Sequence, residues 1–111
     1  MKQDTDLKKQ VKKILKVVEE LAPGRSVELR IPPYAAIQCV AGSTHRRGTP
    51  PNVVEMSGQA LVKLSQNSDL WDRMCSEGQI SASGANSNLA DLFLQVSKLI
   101  SNFDEELSDG K

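Results

Sequence analysis

The sequence predicts an α+β domain, with helices packed against a mainly antiparallel sheet. Three observations carry this. Apolar residues recur at helical spacing near both ends of the chain: Leu7, Val11, Ile14, Leu15, Val18 and Leu21, then Leu89, Leu92, Phe93, Val96, Leu99, Ile100 and Phe103. Between these stripes, Val27-Glu28-Leu29-Arg30-Ile31 alternates with the period of two of a half-buried strand. The candidate strands also cluster in the chain instead of alternating with helices, which favours antiparallel pairing. At 111 residues the chain suits one domain spanning 1–111, with no internal repeat.

The first helix starts near Asp4 or Thr5, either of which can cap it, and stops at Pro23-Gly24. Lys8, Lys9, Lys12, Lys13 and Lys16 lie mostly off its apolar stripe. They read as the solvated face of a packed helix. The other reading, a basic amphipathic helix for an anionic membrane, is weakened because no Trp or Phe anchors the apolar face.

Pro32-Pro33-Tyr34 ends the first strand, since proline cannot donate to a ladder. Ala35 to Val40 resumes as a second strand. Its more apolar character places it nearer the sheet centre. The short connection makes the pair antiparallel. Residues 42–52 form the long loop, and Val53 to Met56 a short third strand. Ser57 or Gly58 opens a helix carrying Ala60, Leu61 and Leu64. Ser68 caps a shorter helix carrying Leu70, Trp71, Met74 and Cys75, which stops at Gly78. Gln79 to Ser83 is a fourth strand. The last helix runs from about Asn88 to Phe103, followed by a frayed acidic tail over 104–111.

Composition narrows the function. Apolar residues at 39% and charged residues at 25% exclude a disordered chain. No run approaches the ~18 apolar residues of a membrane span, so no stable insertion is expected. No secretory signal is visible, and Cys39 and Cys75 read as reduced thiols of a cytoplasmic protein. One His and two Cys are too few for a zinc site, and no cofactor motif is present. Residues 1–55 hold ten Lys and Arg against six Asp and Glu. Residues 56–111 hold four against eight. The balanced total lacks the basic excess of a nucleic-acid domain, and no aromatics interleave with the basic patch.

Enzyme chemistry finds little support. A triad needs a base beside its nucleophile, and His45, the single histidine, lies between Thr44 and Arg46, where two arginines oppose its protonation. The loop His45 to Asn52 is the most individual stretch. Arg46 and Arg47 can clamp a carboxylate or phosphate, and Pro50-Pro51 would stiffen the loop. The plainer reading is a rigid surface loop whose arginines pair with acidic neighbours. Trp71, Phe93 and Phe103 fall on apolar helix faces. They fit either a packed core or the lining of an apolar cavity, which periodicity does not separate.

The stretch from Arg25 to Val40, the string His45-Arg-Arg-Gly-Thr-Pro-Pro-Asn-Val-Val-Glu55 and the segment Gly78-Gln-Ile-Ser-Ala-Ser-Gly84 together resemble the bacterial sterol carrier protein family. More narrowly, they resemble the small bacterial orthologue branch of that superfamily. The resemblance covers residues 5 to 100. It departs at Gln59-Ala60-Leu61, where the branch has a Trp-Leu pair, and after Gly84. It implies a sandwich of about five strands with helices on one face and an apolar tunnel between them. Ile37, Met56, Trp71, Leu92, Phe93, Val96 and Ile100 would line that tunnel, with Arg46 or Arg47 as an anion contact at its mouth. The implied function is a non-catalytic carrier or binding module for an apolar ligand of fatty acyl, lipid or isoprenoid type. The alternative is a structural or accessory domain with a filled core, partnering an enzyme such as a thiol-dependent isomerase.

Overall fold

The apolar stripe at the N-terminus forms α1 (Lys2–Leu21), which turns Val11, Ile14, Leu15 and Val18 into the core and Lys8, Lys9, Lys12, Lys13 and Lys16 to solvent. The computed structural model describes residues 2–42 and 50–109, with side chains over 5–42 and 50–101. Asp4 and Thr5 are not caps, because α1 already begins at Lys2 and both lie inside its first turns.

Four strands follow the alternating pattern: β1 (Val27–Ile31), β2 (Ala35–Cys39), β3 (Asn52–Met56) and β4 (Ile80–Ser83). The sheet order is β2-β1-β3-β4. β1 and β2 pair antiparallel with Leu29 opposite Ile37, and β3 and β4 pair antiparallel with Val54 opposite Ala82. The central pair is parallel, with Leu29 beside Val54. The sheet is therefore mixed, with two antiparallel pairings around one parallel one. The α+β class holds. Two expectations change. Four strands, not five, occur among the described residues. β2 is an edge strand, not a central one; its Ala36 and Gln38 are exposed, whereas β1 and β3 bury every second residue.

Ser57 caps α2 (Gly58–Gln66), its Oγ accepting the Ala60 N–H at 3.0 Å. Asn67, not Ser68, caps the next segment. Its Oδ1 accepts the Asp69 N–H at 3.2 Å and starts a single 3-10 turn, Ser68–Leu70, that leads into α3 (Trp71–Ser76). Gly78, at φ +80°, stands just beyond α3, a conformation that costs a residue without Cβ little. α4 (Ala90–Asp109) begins after Asn88, whose Oδ1 accepts the Ala90 N–H at 2.9 Å. It continues beyond Phe103, because Glu105, Glu106 and Leu107 favour helix and no breaker precedes Gly110.

The helices cover the sheet face that carries Val27, Leu29, Ile31, Val54 and Met56. The opposite face carries Glu28, Arg30, Gln38, Glu55, Ser81 and Ser83 and is largely wet. On it, Arg30 and Glu55 form an exposed ion pair at 3.6 Å.

Candidate ligand cleft

β1 and β3 begin, and β2 and β4 end, at the same end of the sheet. The α1–β1 turn, the segment after β2 and the β4–α4 connection therefore converge there. Between them opens a cleft of about 580 Å³. Leu21, Ala22, Val40 and Ala41 form one wall. Ala85, Asn86, Asn88, Leu89, Leu92 and Gln95 form the other. Among the described residues, no charged side chain lines it. Leu21 is 36% exposed, unusual for a residue of the apolar stripe; it presents to the cleft the surface that its neighbours on α1 bury.

Two backbone ties shape the first wall. Val40 donates its N–H to the Ala22 carbonyl at 2.7 Å and accepts the Ser26 N–H at 2.9 Å. Val40 sits at φ +66°, the left-handed region that a β-branched residue rarely enters. Gly24 packs so closely under it that a Cβ would collide with the Val40 carbonyl group.

Next to the cleft, the buried side chain of Asn52 joins three segments. Nδ2 donates to the Ser26 carbonyl at 2.9 Å and to Ser26 Oγ at 3.2 Å, while Oδ1 accepts the Asn86 N–H at 2.9 Å. Both partners of Asn52, Ser26 and Asn86, are remote from it in sequence.

The seven expected lining residues do not meet in one cleft. Met56, Trp71, Phe93 and Val96 are packed in the core at 0–4% exposure, and Phe93 stacks on Trp71 with centroids 6.3 Å apart. Ile37 is half-buried on the core side of β2. Leu92 borders the large cleft. Ile100 borders a separate groove of about 250 Å³ with Lys13, Ile14 and Val62. Trp71 also touches a third, of about 220 Å³, beside Asp69, Asp72 and Leu94. Arg46 and Arg47 lie outside the described residues. Sequence reasoning missed Val40, Asn86 and Gln95, which reach the cleft through loops or from an exposed helix position.

Among the titratable groups, both thiols are held protonated. Burial, then the Glu19 carboxylate, raises Cys39 to about 11. Cys75 is raised by burial and Asp72. Neither resembles an activated nucleophile. Among the described residues no cluster of His, Cys, Asp or Glu could hold a metal ion, and no helix is long and apolar enough to cross a membrane.

The family model described as bacterial SCP ortholog matches residues 3–94. The chain belongs to the bacterial sterol carrier protein orthologue family. No curated protein matches it. The bacterial sterol carrier protein match takes in α1, the whole sheet, α2, α3 and the first turn of α4. Every residue lining the large cleft falls within it except Gln95.

Proposed function

We propose that this chain is a non-catalytic carrier for an apolar ligand of fatty acyl, lipid or isoprenoid type, seated in the cleft at the sheet end. The observation that carries the reading is a cleft of about 580 Å³, with no charged side chain among its described lining residues, within a member of the sterol carrier protein family. The cleft volume falls within the roughly 300–1,000 Å³ of small-molecule sites, and its lining mixes polar and apolar surface. Leu21, Val40, Leu89 and Leu92 offer the apolar contact, and Asn86, Asn88 and Gln95 the polar end. Phe93 and Val96, buried on α4 beside Leu92, serve as packed support, and Arg46 or Arg47 as an anion contact for an acidic ligand. Two free cysteines suit a reducing, cytoplasmic setting.

The test is titration with a fluorescent long-chain fatty acid. Leu92→Asp, at a half-buried cleft position, should weaken binding at least tenfold. Leu94→Asp, on the same helix but 42% exposed and outside the cleft, should not. Equal effects of the two, or no binding by the unaltered protein, would reject the reading.

One observation favours a second reading, an accessory domain for an enzyme. The space between helices and sheet is filled by Phe93, Val96, Leu61 and Leu64, all fully buried. Recovery of a catalytic chain by the tagged protein, together with no bound lipid in native mass spectrometry, would favour it.

A further inference from the structure

Val40 is a costly residue for its backbone. Valine at φ +66° is strained whatever surrounds it. Such strain persists only where neighbouring structure imposes it, and here the imposing bonds can be named. Its N–H and C=O are both tied to the α1–β1 turn, at Ala22 and Ser26, and Gly24 lies in contact beneath it. Val40 and Ala22 are also wall residues of the cleft. A wall held in place by two hydrogen bonds against opposing strain has a low-cost way to open.

We infer that the brace between Val40 and the Ala22–Ser26 turn is a gate, whose opening controls how fast a ligand enters and leaves the cleft. This rests on the binding reading above. Breaking the two hydrogen bonds relaxes Val40 toward an extended backbone and separates it from Ala22, which widens the cleft on its α1 side. The strain offsets part of the loss of those bonds, so the open form lies closer in free energy than it would with glycine at this position. The side chain of Val40 matters less than its backbone cost.

Three variants test this by amide hydrogen exchange and by stopped-flow kinetics with cis-parinaric acid, a fluorescent fatty acid. Val40→Gly removes the strain and should slow exchange of the Ser26 and residue-40 amides about tenfold, with slower association and dissociation of the probe. Val40→Asn, which tolerates positive φ and keeps a side chain, should do the same in smaller measure. Gly24→Ala places a Cβ against the Val40 carbonyl and should speed both exchange and probe kinetics. If Gly24→Ala does not fold, the two Val40 variants still decide the matter. Slower amide exchange with unchanged probe rates would overturn the gate while leaving the binding reading intact. Unchanged amide exchange in Val40→Gly would overturn it as well. A probe that does not bind the unaltered protein would remove both.

Discussion

The side-chain amide of Asn52 donates to the carbonyl oxygen of Ser26, 26 positions earlier, at 2.9 Å. The Asn52 backbone N–H reaches the same oxygen at 3.3 Å. This double contact fixes the start of β3 against the start of β1. Asn52→Ala would leave the Asn86 N–H without its acceptor and take two hydrogen bonds from Ser26, one at its carbonyl and one at its Oγ, in a site where Asn52 is 2% exposed. An unmet buried polar group costs about 1–3 kcal/mol. The expected result is a fall of about 2 kcal/mol in unfolding free energy by urea titration, with an unchanged denaturant slope.

Phe93 is fully buried and stacked on Trp71. Phe93→Ala would open a cavity between α4, α3 and the sheet and remove the ring contact. Substitutions of this kind cost about 3–5 kcal/mol. That is a large share of the ~5–15 kcal/mol that holds a domain folded. A thermal melt should show a collapse in midpoint, and Trp71 fluorescence should shift toward its solvated value.

The thiols give a pH dependence of known sign. Folding raises Cys39 to about 11, so the folded chain holds this proton more tightly than the unfolded chain. Its contribution is fully present at neutral pH. It is lost as pH rises from the ordinary thiol range through about 11. The slope in that window is at most about 1.4 kcal/mol per pH unit. Chemical denaturation at successive alkaline pH values should show a component of the decline that disappears in Cys39→Ala. At pH 8 a thiol reagent should modify Cys75 first, and Cys39 only as the chain unfolds.

Arg46 and Arg47 carry the expectation of an anion contact. An arginine–carboxylate pair at a partly exposed mouth is worth on the order of 1 kcal/mol, because water screens it. Replacing both by Gln should weaken binding of a fatty acid about tenfold at most and leave the corresponding alcohol unaffected. Equal losses for acid and alcohol would show that the arginines act on loop structure alone.

Local patterns were legible because the forces that set them are local. The α1 stripe, the Val27–Ile31 alternation and the stop at Gly78 all follow from spacing and backbone chemistry. The parallel pairing of β1 with β3 was not legible, since both strands alternate equally well in any order and only their long-range fit selects the neighbour. The apolar sequence of β2 misled for a related reason. Ala35 and Ala36 are apolar but small, and a small side chain tolerates an edge. The cleft was the least legible. Leu92 was named for its helical stripe, but Val40 and Asn86 arrive through backbone turns that no periodicity encodes. The stripe also named Phe93 and Val96, because it marks the side facing inward without telling packed positions from open ones.

The wet outer face of the sheet has a consequence for strand alignment. Glu28 and Arg30 alternate with Val27, Leu29 and Ile31 along β1, which is paired on both sides. Sliding β1 by one residue past β2 and β3 would carry both charges beneath the helices and push three aliphatic side chains into water. Arg30 would also leave Glu55, and burying unpaired charges costs several kcal/mol each. Misaligned hairpins are thus rejected as they form. The solvated residues, which add little to the stability of the finished sheet, keep competing alignments from being populated at all.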